Sequence, residues 1–170
     1  MVGPINPRVM SQTLFIKYGD AGFWAYDVAV GVFLKYLIDR AGQHIERQPS
    51  AWLNDCVKQW RVNAVMSEYG LHLDPTWTDD QRQTVSALID DACQELQKAK
   101  QISADEAASW KILDGEGIHS RGAPWIPTAP AVELGRAIGL LLEGALPKAP
   151  SGSWWFYGTE GGVSMIKKGT

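Results

Sequence analysis

The sequence predicts a mainly α fold, with about five helices around a central apolar helix and a C-terminal β-hairpin. Apolar residues recur at helical spacing in several stretches, and residues that favour helix starts and stops flank them. After Pro147 the pattern changes to short aromatic and β-branched runs, which favour strands. With 170 residues and 45% hydrophobic content, the chain can bury a core as one domain.

The central helix is predicted at Ala21–Arg40, where apolar residues surround most of the circumference. Asp20 can cap its start, and Gly42 lies where a helix stop is expected. The preceding stretch, Thr13–Tyr18, fits one short strand or a lead-in to this helix. Residues 1–12 contain two prolines and are expected to form a loose arm.

Two further helices are predicted from their apolar stripes and end signals. The first, Ala51–Tyr69, ends before Gly70, which can adopt the left-handed conformation of a C-cap. The second begins at Thr78, whose hydroxyl can accept from the third helical N–H while Gln81 reaches back, which is a capping box. The apolar residues of this helix then follow one face: Val85, Leu88, Ile89, Ala92, Cys93, Leu96 and Ala99.

The C-terminal half is predicted to contain two more helices and the hairpin. Ser103 begins a second capping-box pattern and a short helix to about Trp110. Residues 130–142 form the last helix. A hairpin with a five-residue loop is predicted over residues 153–167. Thr13–Tyr18 has the alternative of joining that hairpin in a small three-stranded sheet.

Negative charge is concentrated between Asp74 and Gln97. Six acids and one base give this stretch a charge of −5, against −3 for the whole chain. An acidic face on a nearly neutral body can attract a basic partner or a cation. A net negative charge argues against general nucleic-acid binding, which needs Lys and Arg on one face. A basic protein is therefore the partner we expect.

Four carboxylates of the helix that starts at Thr78 fall in one sector or beside it, at about 100° per residue: Asp80, Asp90, Asp91 and Glu95. One interpretation is an ordinary solvated helix face. The other is a partner-binding surface, on which these carboxylates lack a compensating Lys or Arg at i,i+4 spacing and attract a positive partner. An exposed aromatic residue, Trp77 or Trp125, would anchor such a contact.

A polar loop, residues 114–122, offers the parts of an alternative, catalytic function. His119 would act as a general base beside Asp114 or Glu116, and Arg121 would hold an anion. These residues are adjacent in sequence and need not converge in space. The glycines of the loop do not match a phosphate-binding motif. A protein without enzymatic activity is the favoured prediction, and no catalytic residue is assigned.

No metal site or cofactor is predicted. Cys56 and Cys93 form no Cys-x-x-Cys pair, and we expect reduced, buried thiols, with a disulfide as the alternative. The longest apolar stretch, 23–38, is interrupted by Asp27 and Lys35 and is short for a bilayer. The N-terminus lacks a signal-peptide pattern, so a cytoplasmic protein without a membrane partner is expected. The oligomeric state is left open, including a subunit of a larger assembly.

Three stretches resemble the small immunity proteins of bacterial toxin–immunity pairs: DPTWTDDQ…LIDDACQEL, GFWAYDVAVGVFLKYLID and WWFYGTEGG. The chain is also tryptophan-rich, with eight tryptophans. The resemblance implies a small, single-domain inhibitor that binds one cognate toxin tightly and blocks its active site. Nuclease toxins are commonly basic, so an acidic helix face would steer fast association with such a toxin.

Overall fold

The computed structural model describes residues 13–66, 69–147 and 155–157, the last three by their backbone alone. Helix accounts for 56% and strand for 17%, so the fold is mixed α/β with helix predominant. The described residues contain five helices and six strands. The predicted helical character is therefore confirmed, and the strand content is larger than predicted. The arm 1–12 and most of the hairpin over 153–167 lie outside the described residues.

Four strands form one sheet in the order β3-β1-β2-β6. The strands β1 (Thr13–Tyr18) and β2 (Ala21–Tyr26) make an antiparallel hairpin, whose turn contains Gly19 in the left-handed region at φ 61°. Strand β3 (Leu71–Leu73) is parallel to β1, and β6 (Trp155–Tyr157) is antiparallel to β2. Strand β1 therefore lies inside a four-stranded sheet rather than at the end of a C-terminal hairpin.

Residues Ala21–Tyr26, predicted as the start of the central helix, form strand β2 instead. Phe23 and Ala25 belong to the main core, whereas Trp24 and Tyr26 belong to a second apolar cluster. This division follows from the alternation of side chains between the two faces of a sheet. A strand buried on both faces shows a continuous apolar run, which periodicity does not distinguish from a buried helix.

Helix α1 (Asp27–Arg47) is the centre of the fold. Eleven of its residues are buried, and it packs against helices α2 (Ala51–Val65), α3 (Asp79–Leu96) and α5 (Ala129–Leu142). The predicted stop at Gly42 is wrong, because one glycine costs a long helix only about 1 kcal/mol, which tertiary packing overcomes.

Helix α2 ends earlier than predicted. The Met66 N–H donates to the Val62 carbonyl at 2.8 Å, and this bond closes the last turn. Gly70 does not cap the helix. Its carbonyl accepts a hydrogen bond of 2.9 Å from the side chain of buried Asn63, which ties the end of α2 to the chain that leads into β3.

The remaining helix starts are confirmed. Thr78 caps α3, and Ser103 caps α4 (Ala104–Ser109) by accepting from the Glu106 N–H at 3.1 Å. Helix α5 matches the predicted last helix to within one residue at its start. The sequence did not indicate the small antiparallel sheet of β4 (Gln101–Ser103) and β5 (Trp125–Pro127). Among the described residues, no helix combines the length and apolar character required to cross a membrane.

Candidate partner-binding surface

Helix α3 is fixed at its start by the capping box. Thr78 Oγ1 accepts a hydrogen bond from the Gln81 N–H at 3.2 Å, and Gln81 Oε1 accepts one from the Thr78 N–H at 2.9 Å. The helix then packs against α1 and α5 through its buried stripe: Val85, Leu88, Ile89, Ala92, Cys93 and Leu96. The opposite side of α3 is left to solvent.

Three carboxylates lie on that outer side of α3. Asp80, Asp90 and Asp91 are exposed, and none of them forms an ion pair with any residue in 13–66 or 69–147. The neighbouring Asp79, in contrast, pairs with Arg82 one turn later. Like charges on one helix face repel one another modestly, and their summed field extends to an approaching ligand.

Glu95 differs from these three carboxylates. The expectation that it lacks a compensating base is wrong, because its Oε1 lies 2.8 Å from Lys98 Nζ and 3.7 Å from Arg40 Nη1. Lys98 follows by one turn on the same side, and α1 brings Arg40 alongside. The hydrogen bond from Lys98 lowers the pKa of Glu95. The charge of Glu95 is thus matched within the chain.

Trp77 is buried, with only 8% of its surface exposed, so the expectation of an exposed anchor is wrong for this residue. Its ring centroid lies 6.3 Å from those of both Trp52 and Tyr18. The preceding turn redirects the chain, since Asp74 Oδ1 accepts hydrogen bonds from the Thr76 N–H at 2.9 Å and from its hydroxyl at 2.7 Å. The Asp-Pro-Thr sequence is typical of such a turn, but it does not indicate on which side of the chain the next tryptophan lies.

Trp125 is exposed to 51%. It begins strand β5 and pairs in register with Ser103, the N-cap residue of α4. A large aromatic side chain exposed on a regular element is the arrangement that the predicted anchoring role requires.

A groove of about 420 Å³ runs between the first half of α3 and the end of α5. Asp90 lies at this groove, whereas Asp80 and Asp91 lie on the next sector of α3, about 100° around the helix. The lining of the groove includes three carboxylates, one guanidinium and an apolar wall: Asp79, Asp90, Glu143, Arg82 and Leu142.

Asp27 ties the loop 114–122 to the start of α1. Its Oδ2 accepts hydrogen bonds from Arg121 at 2.5 Å (Nη2) and 3.1 Å (Nε), and its Oδ1 accepts one of 2.8 Å from the Val28 N–H. Asp27 is 6% exposed and lies in the first turn of the helix, where the helix dipole favours a negative charge. Arg121 has a φ of 55°, in the left-handed region that non-glycine residues rarely adopt.

The sequence interpretation missed the role of Asp27, which it treated as an interruption of an apolar stretch. A buried carboxylate is costly unless it is paired and hydrogen-bonded. A lone acid within a strongly apolar run therefore signals a base brought in from elsewhere in the chain, although it does not identify that base.

The alternative catalytic site requires His119, Arg121 and a carboxylate to converge. Glu116 and His119 do line one pocket of about 70 Å³ together with Asp27 and Arg121, but Asp114 is not part of that lining. The guanidinium expected to hold a substrate anion is engaged by Asp27. His119 is exposed and forms no hydrogen bond with the described part of the chain. Glu116 and His119 thus share a pocket, but no hydrogen bond joins them.

Cys56 and Cys93 are both free thiols, so the alternative of a disulfide is not realised. Burial raises the pKa of each thiol to about 11. Both are therefore protonated at neutral pH and are weak nucleophiles and weak metal ligands.

Residues 13–66 and 69–147 contain no group of three or more His, Cys, Asp or Glu side chains placed to hold a metal ion. Comparison of the chain with protein-family models, with curated proteins and with solved structures found no match.

Proposed function

We propose that this chain is a non-enzymatic inhibitor of the immunity type, which binds and neutralises a basic protein toxin through the outer face of α3. The observation that supports the proposal is the state of Asp80, Asp90 and Asp91. All three are exposed on one capped helix and have no ion-pair partner in residues 13–66 or 69–147.

The arrangement suits electrostatic recognition. Charges fixed on a helix keep their spacing when a partner approaches, so little ordering entropy is lost on binding. Their attraction raises the rate of association with a positive protein and falls with ionic strength. A nuclease toxin binds phosphates at a positive site, and carboxylates placed over that site would exclude its substrate. We place this encounter in the cytoplasm of the producing cell.

Trp125 has a different part in the proposal. Exposed charges mainly set how quickly two proteins meet, whereas a buried aromatic anchor mainly sets how slowly they separate. We therefore assign the association rate to the outer carboxylates of α3 and the lifetime of the complex to Trp125. Substitution of Trp125→Ala is expected to raise the dissociation rate and to leave the salt dependence of association unchanged.

The test measures association rates by stopped flow at low and high salt. Asp90→Lys/Asp91→Lys should slow association by about tenfold or more at low salt, and the difference should shrink as salt screens the charges. A matched control, Glu46→Lys/Asp55→Lys, changes the net charge equally at exposed acids of α1 and α2. The proposal fails if both double variants associate at the same rate.

The probe for this experiment is the protein encoded by the reading frame adjacent to the gene of this chain. Its expression alone should arrest growth, and co-expression of the chain should restore growth. The Asp90→Lys/Asp91→Lys variant should restore growth less well than the control. An adjacent product that neither arrests growth nor binds this chain would exclude the toxin–immunity form of the proposal.

A further inference from the structure

The outer side of α5 carries two opposite charges with a leucine between them. Arg136, Leu140 and Glu143 follow i, i+4, i+7 spacing, which places them on one side of the helix. All three are exposed, Leu140 to 37%. The stripe therefore has a positive end, an apolar centre and a negative end. The other side of α5 is buried in the core: Leu134, Ala137, Ile138, Leu141 and Leu142.

Neither charge of this stripe is matched within the described chain. Arg136 and Glu143 form no ion pair with residues 13–66 or 69–147. Glu143 is also the C-cap residue of α5, where the negative end of the helix dipole disfavours a carboxylate. A guanidinium from another molecule would pair with the Glu143 carboxylate and would offset the unfavourable effect of the helix dipole on it.

We infer that a second copy of this chain docks on the stripe, with the two α5 helices antiparallel about a two-fold axis. When the pair is centred between Gly139 and Leu140, Arg136 of each copy faces Glu143 of the partner subunit. A two-fold axis makes this contact twice. Leu140 then faces Gly139 of the partner subunit, and an atom added at the Cβ position of Gly139 would meet nothing within 4 Å, so the helices have room to approach.

The charges of two pockets beside α5 favour the same pairing. One, at the start of α5, is lined by Lys100 and Arg136 as well as Glu133. The other is the groove at the end of α5, whose charged lining consists of Asp79, Asp90, Glu143 and Arg82. An antiparallel second copy therefore places the pocket with an excess of positive charge in each subunit opposite the groove with an excess of negative charge in the other. A two-fold axis placed nearer the start of α5 would instead pair Arg136 with Glu133 of the partner subunit. Glu133 already has an interaction within its own chain, which disfavours that alternative.

The size of the contact predicts its strength. Helix α5 has 14 residues and is about 21 Å long. A single helix pair of that length buries less than the roughly 1,600 Å² of a standard interface. The dimer should therefore be weak, concentration-dependent and sensitive to salt. Asp80 and Asp91 lie on α3 outside the stripe, whereas Asp90 lines the groove that faces the second copy. The dimer therefore does not require the proposed function, and the two interactions share only Asp90.

Sedimentation equilibrium of the full chain over a wide concentration range tests the dimer. Wild type should dimerise at high concentration, and added salt should raise the dissociation constant. Arg136→Glu and Glu143→Arg should each raise that constant at least about tenfold, because each homodimer would then contain two like-charge contacts. An equimolar mixture of the two variants should dimerise again, since both contacts become attractive in the mixed pair.

Three further measurements keep the result interpretable. Leu140→Asp should abolish the dimer, and Asp55→Lys, on the exposed side of α2, should leave it unchanged. Circular dichroism and thermal melting establish that each variant is folded. A wild type that stays monomeric at every concentration overturns the inference, as does a dimer that tolerates Arg136→Glu or a mixture that does not re-form it.

Discussion

Asp27 and Asp91 have the same carboxylate side chain, but one is buried and paired and the other is exposed and has no ion pair among the described residues. Asp27 is 6% exposed and is held by Arg121 and a backbone N–H, whereas Asp91 is exposed with no ion pair among the described residues. Burial removes the water that stabilises a charge, so the fold retains Asp27 only because it supplies partners. No such requirement acts on Asp91. Matched acids therefore hold this molecule together, and unmatched acids remain open to another molecule.

The sharpest test of that comparison removes each carboxylate in turn. Asp27→Ala should lower the free energy of unfolding by about 3 kcal/mol, because it removes the buried carboxylate that accepts two hydrogen bonds from the largely covered Arg121 guanidinium. This loss is at the low end of the range for breaking a buried ion pair, because the Arg121 side chain is 31% exposed. Asp91→Ala should change stability by less than about 0.5 kcal/mol. Urea unfolding followed by circular dichroism measures both, and equal effects would contradict the comparison.

The loop 114–122 is held by packing against α1 as well as by the Asp27–Arg121 ion pair. Two glycine substitutions in α1 test the contribution of this packing without changing the ion pair. A Cβ at Gly31 would lie 2.8 Å from Ile118 Cδ1 and 3.0 Å from the Ala64 carbonyl, whereas one at Gly42 would meet nothing within 4 Å. Gly31→Ala should destabilise the protein by about 1–2 kcal/mol through overpacking. Gly42→Ala should stabilise it by up to about 1 kcal/mol. Thermal unfolding of the two variants should move in opposite directions, and a stabilising Gly31→Ala would show that the loop does not pack into this notch.

Features of the fold that depend on neighbouring residues were predictable from the sequence. The capping residues Thr78 and Ser103 were identified from four-residue patterns because their hydrogen bonds join residues three apart. The periodicity of α5 gave its bounds to within one residue. The exposure of Asp80 and Asp91 followed from the same helical spacing.

Features that depend on distant residues were not predictable in the same way. Strand β2 is decided by its pairing with β1 and β6 and by burial on both faces. The ion pair of Asp27 joins residues 94 positions apart. Glu95 is matched by Lys98 three residues along, a local pair that i,i+4 spacing does not include, and by Arg40 from another helix. For β2 and Asp27 the deciding partner is brought close only by tertiary folding, so a local pattern does not contain it.

The rigidity of the α3 surface depends on its capped start. Thr78→Ala removes the hydroxyl that accepts from Gln81 and should cost about 1 kcal/mol of unfolding free energy. Thr84→Ala is the matched control, because Thr84 lies inside the helix and its hydroxyl only donates to the Asp80 carbonyl. Since alanine is the better helix former, Thr84→Ala should be neutral or slightly stabilising. Hydrogen exchange of the first turn of α3 should quicken only in Thr78→Ala, and equal exchange in both variants would contradict the capping role.

Asp74 combines a property of Asp91 with one of Asp27: it is exposed, yet its carboxylate accepts hydrogen bonds from the nearby Thr76. Hydrogen bonds from Thr76 lower the pKa of Asp74. Thr76→Val removes the hydroxyl donor and should raise this pKa towards its ordinary value of about 3.9, whereas Thr76→Ser should preserve the lowered value. NMR titration of the Asp74 carboxyl measures both.

Thr76→Val should lower the free energy of unfolding slightly at neutral pH and have no effect through Asp74 in strong acid. Because the folded-state pKa of Asp74 lies below its unfolded value, the stabilisation is present above about pH 4 and is lost as the pH falls through the folded pKa. Wild type should therefore be slightly more stable than Thr76→Val at neutral pH, and the two should converge in strong acid. A difference that grows as the pH falls would mean that the Thr76 hydroxyl stabilises the turn through its geometry rather than through the charge of Asp74.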